Sequence, residues 1–184
     1  YAIVAPLFSE HRHFRQYADT NYHAMVQVTA RATMKVCLSS GDLLFGSGEV
    51  ATKMYFVNNG CIRYTSVEVL KDLMSDSRKS RNEDSEQDQS IHMQKLDNFC
   101  EVSIWLDWVH QGEADAVSHS SLLVIDAIHF ARVTKEHVAV HELCHNYACN
   151  FVESVRTYWE EEGHVDDLYD MWSVSYTHLT LPTM

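Results

Sequence analysis

The sequence predicts an α+β fold, an antiparallel β-roll of the jelly-roll kind with helices before and after it. Three observations predict it. Between Ser39 and Tyr64, short β-branched and aromatic runs alternate with glycine-bearing turns; Ser121-Leu-Leu-Val-Ile125 is an apolar run of strand length; and both ends of the chain carry apolar residues at helical spacing. With 184 residues, 46% of them apolar, the chain can bury one ordinary core, so one domain with flanking helices is the expectation.

Residues 1–35 are expected to form short helices leading into the domain. Tyr22, Met25, Val26 and Thr29 recur at helical spacing, and Asn21 stands where an N-cap is needed. From Val36 the pattern becomes strand-like: Gly41-Asp42-Leu-Leu-Phe45, Gly48-Glu49, Met54-Tyr-Phe-Val57, Asn59-Gly60, then Cys61-Ile-Arg-Tyr-Thr65. Asn59-Gly60 reads as a hairpin turn. Residues 75–89 hold Ser, Asp, Glu, Gln and Arg without a large apolar side chain, and are expected to be a disordered insertion in a roll spanning 36–130. Strands resume near Phe99, and helices are expected over 131–165. The segment Val174-Ser-Tyr-Thr-His-Leu-Thr-Leu-Pro-Thr183 looks like a translated sequencing adapter and is set apart from the fold. The absence of Met at Tyr1 makes a fragment of a longer protein the expectation.

Charge narrows the partners. A net charge of −12 with no basic cluster argues against nucleic acid. Five scattered cysteines (Cys37, Cys61, Cys100, Cys144 and Cys149) without a CxxC pair fit a reducing, intracellular setting. No apolar run reaches the length of a membrane span.

Gly41-Asp42, Gly48-Glu49, Met54-Tyr55-Phe56-Val57 and Gly60 stand in the order and spacing of the first half of the cyclic-nucleotide-binding domain family, which this chain resembles over residues 39–160. Phe99-Cys100-Glu101 resembles that family's phosphate-binding cassette, and Leu122–Asp126 through Phe130 resembles its last strand and following helix. The resemblance implies cAMP or cGMP as ligand, no cofactor, and a pocket at Cys100, Glu101, Val102, Ser103, His110 and Gln111. In the family a cassette Glu holds the ribose hydroxyl and an Arg pairs with the cyclic phosphate; Glu101 matches the first. The Arg is missing, since residues 104–112 contain neither Arg nor Lys, and Cys100 replaces the family's Gly. Trp105 and Trp108 read as core, and His110 as a surface histidine within reach of a phosphate. The resemblance therefore implies a degenerate pocket. Residues 1–36 resemble the linker before this domain in cyclic-nucleotide-gated and voltage-gated potassium channels, which implies a homotetrameric parent with this domain on the cytoplasmic side of its membrane.

A rival signal is His141-Glu142-Leu-Cys-His145, which matches HExxH, the zinc-protease motif in which two His hold the metal and Glu is the base. Neither Gly nor Pro follows over residues 146–159, so an uninterrupted helix is predicted, and Glu160 to Glu162 would lie about 28 Å from His141 along it. That is out of reach of a shared ion. An amphipathic helix packed on the roll is the preferred reading, and no metal ligands are assigned. Ser80 and Ser85 suggest kinase sites in the insertion, and Asp115, His119 and Ser120 or Ser121 a hydrolytic triad; neither has supporting context. The chain is thus read as a regulatory module and not an enzyme, with a ligandless docking roll or a zinc protease as alternatives.

Overall fold

The computed structural model describes residues 5–67 and 90–171. The expected insertion at 75–89 and the adapter-like segment at 174–183 lie outside them. Three short helices, α1 (Ala5–Glu10), α2 (Arg12–Thr20) and α3 (Tyr22–Arg31), open the chain. Asn21 caps α3, its side chain accepting from the Ala24 amide at 3.0 Å.

Ten strands follow among the described residues: β1 (Thr33–Leu38), β2 (Leu43–Phe45), β3 (Val50–Ala51), β4 (Lys53–Asn59), β5 (Ile62–Ser66), β6 (Ile91–Met93), β7 (Asn98–Phe99), β8 (Trp108–Val109), β9 (Gly112–Ala116) and β10 (Ser120–Asp126). They form two four-stranded antiparallel sheets, β1-β10-β4-β7 and β2-β9-β5-β6, with a small β3-β8 pair. A short helix, α4 (Val102–Trp105), interrupts the strands, and α5 (Ala127–Lys135) and α6 (Val138–Glu162) follow them.

Strands β4 and β10 lie side by side at the centre, and both of their faces are buried. Met54, Phe56, Leu123 and Ile125 meet Phe8, Phe14, Tyr17, Met25 and Phe130 of the helices. The alternate residues Tyr55, Val57, Leu122 and Val124 point into the roll with Phe45, Ile62, Tyr64 and Phe99. This explains the near-continuous apolar sequence of both strands, since a period of two with both faces covered leaves no polar positions. Truncating one such residue, Phe56→Ala for instance, would cost about 3–5 kcal/mol.

One turn differs from the sequence expectation. Asn59-Gly60 does not close a hairpin, because β4 and β5 pair with different strands and belong to different sheets. The turn is a corner that carries the chain from one sheet to the other. Gly60 has φ of 93°, and a Cβ there would stand 2.6 Å from Ser120 Cα. The dipeptide meets the conformational need of a tight turn, and the partners of the flanking strands decide which kind of turn it becomes.

Helix α6 runs unbroken through the HExxH segment, with His141, Glu142 and His145 exposed. It ends at Gly163, in the left-handed conformation with φ of 76°. That cap turns the chain, and residues 164–171 run back onto the roll.

Candidate functional site

The cassette begins where β7 ends. Cys100 follows Phe99 with φ of 62°, a left-handed conformation that favours Gly and costs another residue about 1–2 kcal/mol. The strained backbone starts α4 and leaves the Cys100 side chain buried beneath it. From α4 the chain passes through β8 to His110, which lies between β8 and β9. His110 is buried, not a surface residue as its sequence context suggested. Its ring stacks on Phe45 with centroids 3.6 Å apart and planes 5° from parallel. Its backbone is held by Gly48 and Glu49, whose amide and carbonyl bond its carbonyl and amide at 2.9 Å each.

Into this setting comes Asp167 from the returning segment, fully buried. Its Oδ1 accepts from His110 Nδ1 at 2.8 Å and from Trp108 Nε1 at 3.0 Å. Its Oδ2 accepts from the Gln111 amide at 2.7 Å and from Tyr64 Oη at 2.9 Å. The Cys100 amide donates to the Asp167 carbonyl at 2.7 Å. Leu168 packs against the roll interior, while Val165 and Tyr169 pack against Val102, Tyr147 and Phe151. Burial, then the nearby Asp167 and Asp166, pushes the Cys100 thiol well up. Burial likewise raises Tyr64 and Asp166 above their ordinary values, so both keep their protons more readily.

The other cassette residues turn away from Asp167. Glu101 is buried toward the helices, its Oε1 accepting from Trp105 Nε1 at 3.1 Å and Tyr147 Oη at 2.8 Å, with His11 Nε2 3.2 Å from Oε2. Burial alone would raise its pKa; His11 and the two hydrogen bonds outweigh that and hold it below the usual carboxylate range. The carboxylate that the resemblance assigned to a ribose thus ties the cassette to α6 and to the bend before α2. Val102 packs on Tyr147 and Phe151, and Ser103 Oγ donates to the Cys100 carbonyl at 2.8 Å. The Gln111 side chain donates to the Val109 carbonyl, leaving its backbone amide to serve the site.

The triad is not assembled. Asp115 is held by Arg63 at 3.0 and 2.9 Å, and Ser120 Oγ bonds the Cys61 and Ser118 carbonyls. Ser80 and Ser85 lie outside the described residues.

The β1-β10-β4-β7 sheet, its partner sheet, the cassette between β7 and β9 and the helices after β10 together define the architecture. The fold matches that of cyclic-nucleotide-binding-like β-rolls. The roll resembles the sensor domain of the transcriptional regulator DNR from Pseudomonas aeruginosa (TM-score 0.58, 14% identity), covering 92% of this chain and 97% of that one. It resembles cAMP-bound PfPKA-R (141-441) at TM-score 0.53 and 13% identity, over 72% of this chain and 40% of that one. A cyclic nucleotide-binding-like protein from Brucella abortus shares it at TM-score 0.51 and 11% identity, over 71% and 96% of the two chains. No protein-family model and no curated protein matches the sequence. None of the described helices is long and apolar enough to cross a membrane.

Sequence reasoning missed Asp167, Tyr64 and Phe45. The available signal was Asp166-Asp167-Leu168-Tyr169 just past the Gly163 cap, a short acidic and apolar run with no helical or strand period.

Proposed function

We propose that the chain is a regulatory cyclic-nucleotide-binding-type domain, not an enzyme, whose anion subsite is held by its own Asp167. The observation that carries this reading is the Asp167 carboxylate receiving four hydrogen bonds inside the roll, two of them from His110 and Gln111. Those are the positions nearest to where the resemblance seats the phosphate-binding Arg. A carboxylate there stands in for a cyclic phosphate, and a nucleotide would have to displace residues 164–171 before binding. The missing Arg adds a second cost, since hydrogen bonds to charged groups contribute about 1.5–3 kcal/mol, or about ten- to hundred-fold in affinity. cAMP and cGMP are therefore weak ligands of the intact chain. Release of the returning segment would free α6, which offers a route from pocket to parent protein. The resemblance of residues 1–36 supports a homotetrameric cation or potassium channel as that parent, with the domain on the cytoplasmic side of the membrane.

Titration calorimetry tests the reading. The intact chain should give little heat with either nucleotide, and Asp167→Ala combined with His110→Arg should bind at least about tenfold more tightly. Tight binding by the unchanged chain, insensitive to Asp167→Ala, would overturn it.

A further inference from the structure

We propose that Cys100, His110 and Asp167 form a binding site for one zinc-like divalent cation that fastens the returning segment to the roll. The donors are Cys100 Sγ, His110 Nδ1 and Asp167 Oδ1, all buried and mutually within 4.8 Å. Sulfur lies 3.9 Å from Nδ1 and 4.0 Å from Oδ1, and the two harder donors are 2.8 Å apart. Zinc takes thiolate at about 2.3 Å, imidazole at about 2.0–2.1 Å and carboxylate at about 2.0–2.2 Å. An ion at those lengths would subtend angles of about 86°, about 127° and about 134° at the three observed separations. They sum to less than a full circle, so a single ion fits slightly out of the donor plane without any donor moving. A mixed thiolate, imidazole and carboxylate set suits zinc and cobalt, and suits magnesium or calcium poorly.

Three further observations point the same way. Cys100 holds a left-handed backbone conformation that Gly would adopt without strain, yet it carries a side chain, and that side chain is aimed at His110 and Asp167. Asp167 is a fully buried carboxylate whose donors are a phenol, an indole, an imidazole and an amide, none of them Lys or Arg. The supporting shell is already in place: Tyr64 and the Gln111 amide orient the carboxylate through Oδ2, and Phe45 fixes the imidazole plane.

Binding balances simply. The thiol proton leaves to solvent, the imidazole proton moves from Nδ1 to Nε2, and two anionic ligands neutralise the dication. The three ligands come from the β7–α4 turn, the β8–β9 connection and the segment after α6. The cation would therefore keep the roll closed, and its removal would loosen the segment. The geometry stands whether or not a nucleotide enters the roll, so the calorimetry above and the cation test can fail separately.

Cobalt is the spectroscopic probe, added to the full chain after chelator treatment. About one equivalent should produce a thiolate-to-cobalt charge-transfer band that zinc then bleaches. Zinc at a hundredfold excess over its Kd should raise Tm by about 5–10 °C. His145 Nε2 lies 3.9 Å from Cys149 Sγ on the exposed face of α6, one turn beyond His141, and could bind cobalt on its own. The His145→Ala/Cys149→Ser variant must therefore keep both signals. Cys100→Gly, which suits the local backbone and should fold, must lose both. A wild-type chain without the band, a band that survives Cys100→Gly, or one that disappears with His145→Ala/Cys149→Ser would overturn the assignment.

Discussion

Replacing Asp167 with Ala probes the returning segment directly. Left docked, the variant would strand Tyr64 Oη, Trp108 Nε1, His110 Nδ1 and the Gln111 amide without their acceptor. Each stranded buried donor costs about 1–3 kcal/mol. The segment instead undocks, because Val165, Leu168 and Tyr169 alone cannot offset the entropy of ordering it, about 1–2 kcal/mol per residue of backbone. The loss is then confined to the local opening equilibrium and amounts to at least about 3 kcal/mol, or about a hundredfold in its constant. Hydrogen exchange reads this at two amides, Cys100 and Gln111, which donate to Asp167 itself. In chelator-treated protein at fixed pH, both should exchange about a hundredfold faster in Asp167→Ala, while amides of the β4–β10 ladder keep their rates. An unchanged Gln111 rate would refute the docking argument.

Two further outcomes test the fold around the site. His13 is buried with a pKa lowered to about 3, by burial first and then by His11, against the opposing pull of Glu101; Cys144, Trp105 and Tyr147 also pack on it. The unfolded chain binds the proton near pH 6.5 and the folded one near 3, so stability falls as pH drops through that window, by about 2 kcal/mol between pH 7 and 5. Urea midpoints at both pH values should show this loss, and His13→Phe should remove most of it; an equal slope in the variant would sink the account. Gly60→Ala places a Cβ against Ser120 Cα and the His119 carbonyl at a φ of 93°, and should lower Tm by at least about 5 °C. A melting temperature within a degree of wild type would mean the corner is not as tight as described.

The fold was legible wherever periodic burial controlled the sequence. Met54 to Val57 and Leu122 to Ile125 are apolar on both faces, Gly60 answers a positive φ, and Asn21 caps α3 by accepting from the Ala24 amide at 3.0 Å. Each leaves a local mark. The site was legible only in part, because its organising residue leaves none. Asp167 lies 57 residues from His110 and 103 from Tyr64 in the chain, in a segment without period. Nothing near it in sequence says that an acidic residue after a glycine cap will be buried. The same holds for His110: a polar ring between Val109 and Gln111 reads as surface until Phe45 and Asp167 are brought to it. Nor do the neighbours of Glu101 show where its carboxylate turns, since Tyr147 and His11, which claim its oxygens, arrive from opposite ends of the chain.

Strands β4 and β10 each turn one row of side chains to the helices and the alternate row into the roll. The helical layer and the roll therefore share two walls and own neither separately. Cutting the chain after α3 or before α5 would strip a lid from four large apolar side chains, Met54, Phe56, Leu123 and Ile125, and hand the remaining sheet to aggregation. The two layers should melt in one transition with coincident fluorescence and circular-dichroism curves, and a piece that works in isolation must span from the first helices to the last.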